Sequence, residues 1–252
     1  MGVRKTNGAG KAALSEGLQL TPVPRQTVQD RVYLELRKAL ICGLFEPGQV
    51  LTIQELAASL DTSTMPVREA LHRLISEHAL EALPNRSVRV PLADLDRLDD
   101  LLRARILIEG TALELATPRL KRGEFGELKA LTRNYDRAMA MRGSQATETE
   151  LELNRAFHFL IYRASGSAVL LPIIESLWLQ CGPYVRAAVR AFDQRLDLWA
   201  LHYHAEIVAA LEAQDVAAAR AALAADIGRA FDMLRSPQGE PKTSTDDQRK
   251  RG

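Results

Sequence analysis

Residues 63–71 read STMPVREAL, and this short stretch has the features of a helix start. Ser63 is a favourable N-cap, because its hydroxyl can accept a hydrogen bond from a free amide in the first turn. Pro66 falls within that turn, where a missing N–H costs little. One apolar face follows at helical spacing, formed by Val67, Ala70, Leu71, Leu74 and Ile75. Arg68 lies off this face and near the N-terminus, where recognition helices present side chains to the major groove. We therefore interpret the stretch as the start of a DNA-recognition helix.

The residues before this stretch predict a second, shorter helix. Thr52 and Glu55 have the spacing of a capping box, which opens a helix that runs to about Leu60. Asp61 and Thr62 then form the turn. Two short helices joined by a tight turn are a helix-turn-helix.

The residues after it predict a β-hairpin, or wing. Residues 80–83 and 88–90 alternate like strands, and the sequence PNRS at 84–87 is typical of a turn. Each piece alone is also compatible with ordinary helical packing. The ordered set of helix, turn, helix and hairpin favours a winged helix-turn-helix.

This segment resembles the DNA-binding domain of the GntR family of bacterial transcription regulators. The resemblance covers residues 27–91 and rests on Pro47-Gly48, Leu51, the Glu-Leu-Ala run at 55–57 and residues 63–71. The family usually carries arginine where Gln54 and Thr64 stand, and glycine where His78 and Ser87 stand. The resemblance implies a double-stranded operator with inverted half-sites. The residues expected to contact it are Gln54, Ser63, Thr64, Arg68, Arg73 and Arg86.

Composition excludes several classes of protein. The chain has 252 residues, of which 46% are hydrophobic and 26% charged, which suits one or two domains with a substantial core. The two cysteines, Cys42 and Cys181, are far apart in the chain, so a disulfide framework is not expected. No stretch is apolar enough to span a bilayer, and the N-terminus lacks a signal core. We expect a cytoplasmic protein without membrane contact.

Charge argues against a polybasic, non-specific DNA binder. The net charge is +1, and residues 27–91 contain seven Lys or Arg against eight Asp or Glu. Phosphate contacts must therefore come from local placement of cations and from helix N-termini. A homodimer, which doubles these contacts, is favoured.

The protein is expected to be mainly α. The winged helix-turn-helix is followed by a region whose periodicity predicts an all-α antiparallel bundle. Residues 1–26 have no periodicity and are expected to form a flexible arm, and residues 236–252 a disordered tail. Residues 92–235 have helical periodicity and are expected to form an effector-binding and dimerisation domain of six or seven helices. Breaks are expected at 117–118, 142–144, 165–167 and 214–215.

This second region resembles the FCD-type effector domain of the FadR/VanR-like branch of the same family. The resemblance rests on sparser matches than in the first region, which are Arg105, Glu109, Asn154, His158, His204, Glu206, Ile207, Leu211, Asp215, Ala218 and Ala219.

Four residues of the bundle are candidate metal ligands. Asn154 and His158 are four residues apart and share a helix face. His204 and Asp226 flank the turn at 214–215 at similar distances, so an antiparallel helix pair places them at nearly equal height. Two imidazoles and a carboxylate suit a transition ion. The resemblance implies the same site, in which Asp226 replaces a third histidine; a Zn, Ni or Mn ion is expected. The alternative is that the histidines are hydrogen-bonded core residues.

Arginines of the bundle are candidate effector ligands. Arg105 shares a helix face with apolar residues, and an inward arginine needs an anion, for which a carboxylate fits. That anion is either an effector or Glu109. In the resembled family this arginine borders the effector pocket. Arg186 and Arg190, one turn apart, are expected to line the same pocket.

These residues together predict a homodimeric, effector-responsive repressor that senses a small organic acid. The alternative is a metal-dependent enzyme, because two histidines and a carboxylate also form the facial triad of non-haem iron enzymes. A third possibility is a structural DNA-binding protein without an effector, which a solid apolar bundle core would support.

Overall fold

The N-terminal part of the chain forms three helices and a three-stranded sheet. A computed structural model describes residues 27–84, 87–92, 94–141, 144–192 and 203–235. The elements before residue 92 are α1 (Val28–Ile41), β1 (Val50–Leu51), α2 (Ile53–Ser59), α3 (Thr64–Ser76), β2 (Glu81–Ala82) and β3 (Val88–Arg89). The expected arm at 1–26 and the expected tail at 236–252 lie outside the described residues, as do Asn85 and Arg86.

The helix-turn-helix begins at the predicted residues, but one of its caps differs from the prediction. Thr52 and Glu55 form the reciprocal capping box that starts α2. Ser63 is the N-cap residue of α3, yet its hydroxyl makes no capping hydrogen bond. A cap hydroxyl bonds the amide of the second or third helical residue. The third residue here is Pro66, which has no N–H, so the favoured partner is missing.

The predicted hairpin is present, and a third strand extends it. β3 pairs antiparallel with β2 and, on its other edge, with β1, through the Val50–Arg89 and Leu51–Val88 pairs. The sequence analysis did not predict β1, because two residues are too few to show alternation. His78 takes a φ of +57° before the hairpin. That left-handed conformation explains why glycine suits this position in the resembled family.

The rest of the described chain is a helical bundle. Its helices are α4 (Leu95–Ala116), α5 (Arg122–Ala140), α6 (Ser144–Ala164), α7 (Leu170–Phe192), α8 (His204–Glu212) and α9 (Val216–Arg235). The expected breaks at 117–118, 165–167 and 214–215 fall between helices. Of the break expected at 142–144, Ser144 is already the first residue of α6, and residues 142 and 143 lie outside the described residues. Within the described residues, none of these helices combines the length and apolarity needed to cross a membrane.

Two hydrophobic cores organise the molecule. The N-terminal core is built from α1, α2, α3 and the sheet, and includes Leu36, Leu40, Val67, Leu71 and Leu74. The C-terminal core lies among α4–α9. Leu179 of α7 belongs to the N-terminal core, so the bundle contributes a side chain to the winged helix-turn-helix.

A close contact between α1 and α7 joins the two cores. A Cβ atom at Gly182 of α7 would lie 2.1 Å from the carbonyl oxygen of Leu40 and 2.7 Å from that of Ile41. A Cβ atom at Gly43, whose φ is +61°, would lie 2.5 Å from the Cβ atom of Arg186. Arg37 of α1 forms an ion pair with Glu175 of α7 at 3.1 Å. Only glycine at 182 permits this approach, which sets the position of the DNA-binding part on the bundle.

Candidate functional site

The expected DNA contacts lie at the exposed helix starts of the helix-turn-helix. Gln54, Ser63, Thr64 and Arg68 are all exposed. Arg68 makes no ion pair or hydrogen bond with any described residue, and it borders a groove between α3 and the wing. Its guanidinium is available to a ligand in that groove.

Arg73 has a different environment. Its guanidinium carbon lies 3.6 Å from the ring centroid of Tyr33, and its Nε lies 3.4 Å from a carboxylate oxygen of Glu77. The Tyr33 hydroxyl donates to the same carboxylate at 2.7 Å. Arg73 therefore ties α3 to α1 within the protein. Arg86, the other basic residue of this set, lies outside the described residues.

The four candidate metal ligands converge in the bundle interior. His158, His204 and Asp226 are buried, and one ligand atom of each lies within 4.8 Å of the others. His158 Nε2 is 3.0 Å from Asp226 Oδ2, and His204 Nε2 is 3.1 Å from Asn154 Oδ1. α6 supplies Asn154 and His158 on one face, whereas α8 and α9 bring His204 and Asp226 level across their turn.

These distances fit a metal site and also fit hydrogen bonds. Ligand atoms held about 2.1 Å from one ion are about 3.0 Å apart at a right angle and about 3.4 Å apart at the tetrahedral angle. The His158–Asp226 and His204–Asn154 spacings therefore suit neighbouring positions around an octahedral ion. They equally suit ordinary hydrogen bonds, so the two alternatives from the sequence both remain compatible with the geometry.

Asp226 is held in its ionised form, as a metal ligand must be. Burial alone would raise the pKa of its carboxyl. The hydrogen bond from His158 and the charges of His158, His204 and Arg229 outweigh burial, so the pKa lies well below its usual range. The backbone N–H of Tyr203 donates to Oδ1 at 3.3 Å. An anion is therefore fixed beside two imidazoles.

Tyr162 orients His158, a role that the sequence analysis did not predict. Its hydroxyl donates to Glu109, so its oxygen is available to accept from His158 Nδ1, which lies 3.2 Å away. In a neutral imidazole this leaves Nε2 unprotonated and able to bind an ion, whereas in the hydrogen-bonded alternative Nε2 carries the proton and donates to Asp226. This arrangement directs Nε2 toward Asp226 and Nδ1 away from it. Partners of this kind fix the tautomer and ring orientation of metal-binding histidines. The spacing of four residues from His158 was a usable signal, since it places both side chains on one helix face.

Arg105 forms the internal ion pair that was one of its two predicted partners. Its Nε and a terminal nitrogen bind the Glu109 carboxylate at 2.6 and 3.2 Å, and both side chains are buried. The guanidinium also lies 4.9 Å from the ring centroid of Trp178. Burial raises the pKa of the neighbouring Cys181 thiol to about 11, although the Arg105 charge lowers it in part. Cys181 is therefore a neutral thiol.

Of the other two expected effector arginines, Arg186 does not join this cluster. Arg186 is buried, donates to the carbonyl oxygen of Cys42 at 3.2 Å and lies 3.9 Å from Glu148, so it belongs to the contact between α1 and α7. It does not line the cavity described below. Arg190 lies in α7, and its side chain is outside the described part of the structure.

A cavity of about 540 Å³ opens beside the cluster. Asn154, His158, Asp226 and Arg105 line its inner part. The volume falls within the range that holds small-molecule ligands. α1 of the winged helix-turn-helix also lines this cavity, which the sequence analysis did not anticipate.

Two protein families match the chain. Residues 28–90 match the bacterial regulatory proteins of the gntR family, and residues 100–229 match the FCD domain. The HTH-type transcriptional regulator McbR of Escherichia coli (strain K12) is 34% identical over 193 residues, which cover 75% of this chain and 85% of McbR. The HTH-type transcriptional repressor GlaR of the same strain is 27% identical over 194 residues, covering 74% of this chain and 86% of GlaR.

The fold matches a solved structure of such a regulator. The structure of E. coli McbR/YncC superposes with a TM-score of 0.73 at 30% identity, covering 83% of this chain and 98% of that chain. These relatives are transcription regulators, which confirms the expected regulator and sets aside the enzyme alternative.

Proposed function

The chain belongs to the gntR family of bacterial regulatory proteins and carries an FCD domain, and on that premise we propose that it is a repressor controlled by a small organic acid bound in the bundle. It is a DNA-binding transcription regulator and not an enzyme. The observation that supports the effector proposal is the cluster of His158, His204 and Asp226, because His158 and Asp226 also line a ligand-sized cavity. A bundle that served only as structure would have a continuous apolar core.

Operator binding is assigned to the exposed residues of the helix-turn-helix. Arg68 lies in the second turn of α3 and is free of other described partners, so its fork suits the O6 and N7 atoms of a guanine. Gln54, Ser63 and Thr64 are placed to contact phosphates or base edges beside it. Arg73, which stacks on Tyr33, contacts DNA in this proposal only with its remaining donors. The regulator acts on chromosomal DNA, and its location is therefore the cytoplasm.

A divalent transition ion, Zn, Ni or Mn, is assigned to the cluster in the bundle. FCD domains are often associated with a metal, and His158, His204, Asp226 and Asn154 would hold the ion here. The bound ion supplies a Lewis-acidic cation for the carboxylate of the effector. Asp226 lowers the net charge of the site, and Tyr162 holds the His158 ring in position.

A homodimer is proposed because inverted half-sites mirror a two-fold symmetric protein. GntR regulators are typically dimeric. Leu107 and Leu115 lie eight residues apart on α4 and are 62% and 39% exposed, which gives this helix an apolar outer face. We assign that face to contact with a second copy of the chain.

Sedimentation tests the homodimer. The wild type should be a dimer at micromolar concentration, and Leu107→Glu should be a monomer. A wild-type monomer, with or without DNA, contradicts the proposal.

Elemental analysis tests the metal and effector proposal most directly. Protein purified without chelator and without an affinity metal should contain about one transition ion per chain. His204→Ala should lose the ion and the effector response yet keep basal operator binding, because the site lies away from the helix-turn-helix. A protein that cannot be loaded with Zn, Ni or Mn and still answers its effector would refute the metal site and leave an arginine-lined acid pocket.

A further inference from the structure

The cavity beside the metal cluster has walls from both cores of the molecule. Two members of the cluster, His158 and Asp226, line it together with Trp178. Another part is lined by the C-terminal half of α1, through Leu34, Lys38, Ile41 and Cys42. A molecule that fills the cavity therefore contacts the DNA-binding part of the chain directly.

Among the cations that line this cavity near α1, Arg37 is paired with Glu175, and two others are in no ion pair with a described residue. Lys38 comes from α1 and Arg155 from α6, and neither forms an ion pair with any described residue. Arg155 instead lies over the ring of Phe159, with 4.8 Å from its guanidinium carbon to the ring centroid. Glu152 also lines the cavity, and its carboxylate offsets one of these two charges.

The environment of Cys42 supports the proximity of these charges. Burial raises the pKa of the Cys42 thiol, and Glu152 raises it further, whereas Lys38, Arg155 and Arg186 lower it. The charges of Lys38 and Arg155 therefore both lie near the Cys42 thiol, at the boundary between α1 and α6. We call these two side chains the cationic pair.

We propose that the cationic pair is a second anchor of the effector pocket, which binds an anionic group at the far end of an acid whose first carboxylate lies at the His158, His204 and Asp226 cluster. The cavity lining also includes Phe159, Trp178 and Val185, which favour an apolar linker between the two anionic groups. The effector class is thus an acid with two anionic groups separated by an apolar segment. This inference rests on the proposed effector function and specifies its ligand.

The second anchor explains how the ligand reaches the DNA-binding surface. Lys38 belongs to α1, and α1 packs on α3 through Leu36, Leu40 and the stacking of Arg73 on Tyr33. A diacid held at both ends fixes α1 against the bundle. A monoacid held only at the cluster does not contact α1. Its binding should therefore change the affinity for the operator only weakly.

Calorimetric titration of the full chain, with and without added Zn²⁺, tests the second anchor. The probes are straight-chain monocarboxylates and α,ω-dicarboxylates of about four to eight carbons. The wild type should prefer a diacid over the monoacid of equal length. Lys38→Gln and Arg155→Gln should each weaken diacid binding about tenfold or more, because each removes a charge-assisted contact, and change monoacid binding less than about twofold. Lys38→Arg should retain the preference.

The matched control is Lys129→Gln, since Lys129 forms a surface ion pair with Glu212 and does not line the cavity. It should change neither affinity. If the wild type has no diacid preference, or if the preference survives in the Lys38→Gln, Arg155→Gln double variant, the second anchor is wrong while acid sensing stands. If no acid of either series binds, the second anchor and the proposed effector function are both overturned.

Discussion

The two cores of this protein differ in what they bury. Among the described residues of the winged helix-turn-helix, Ser87 is the polar side chain that is buried, and the core around it is apolar. The bundle encloses Arg105, Glu109, His158 and Asp226. Burying charges costs desolvation free energy that an ion pair seldom recovers. The difference agrees with the proposed DNA contacts on the surface of the first part and the proposed ligand site in the interior of the second.

The largest expected effect is the loss of one partner in the bundle interior. Glu109→Ala leaves the Arg105 guanidinium buried without its carboxylate, and it also removes the acceptor of the Tyr162 hydroxyl. We expect the free energy of unfolding to fall by about 3–5 kcal/mol. Urea denaturation followed by circular dichroism measures this change.

The control for Glu109→Ala is Glu175→Ala, which breaks the partly exposed ion pair with Arg37. This change should cost about 0–1 kcal/mol, because solvent screens such pairs. Equal losses in the two variants would contradict the contrast between the buried and the exposed pair.

The contact between the two cores gives the next effect. Gly182→Ala places a methyl carbon within 2.1 Å of the carbonyl oxygen of Leu40 and 2.7 Å of that of Ile41. Because these distances are too short, α1 must move away from α7. The cost should be about 1–3 kcal/mol, as for other overpacked sites. Operator binding should become less responsive to the effector, because α1 would no longer lie against the cavity.

The control is Gly126→Ala on α5, where an added Cβ atom meets no atom within 4 Å. This variant should be neutral or more stable than the wild type by about 0.4–1 kcal/mol.

A surface change in the helix-turn-helix should affect DNA alone. Arg68→Ala removes an exposed guanidinium and should weaken operator binding by about 1–3 kcal/mol, with relaxed preference at one base of each half-site. Stability and acid binding should stay as in the wild type, because Arg68 contacts neither core's interior. Fluorescence anisotropy with operator variants measures the selectivity. Unchanged selectivity would mean that Arg68 contacts phosphate only or lies outside the interface.

The sequence predicted features that rest on local chemistry. The start of α3 at Thr64 followed from capping and proline signals, and the convergence of His158 with His204 and Asp226 followed from helix spacing and one turn. It could not predict the contact between α1 and α7, because Gly182 and Leu40 are far apart in the chain and a lone glycine has many explanations.

Sequence also left the partner of Arg105 undecided. The spacing to Glu109 allowed an ion pair, but spacing alone does not tell whether the guanidinium binds a ligand or a side chain. The structure shows the Glu109 pair within a network that includes Tyr162 and His158. The second anchor at Lys38 depends on tertiary packing in the same way, since it requires α1 to lie beside α6.

Removing the whole polar network at once should not cause the loss of stability expected for Glu109→Ala. The triple variant Arg105→Met, Glu109→Leu and Tyr162→Phe replaces a buried ion pair and its hydroxyl partner with apolar groups of similar size. Because no charge is left unpaired, the free energy of unfolding should stay within about 1 kcal/mol of the wild type or rise by up to about 4 kcal/mol. His158 would lose the acceptor at Nδ1, so metal affinity should fall about 10–100-fold. Urea denaturation and competitive zinc titration measure the two quantities on the same preparation. A large loss of stability in the triple variant would mean that the network holds the bundle together, and the contrast between the two cores would then reflect folding rather than ligand binding.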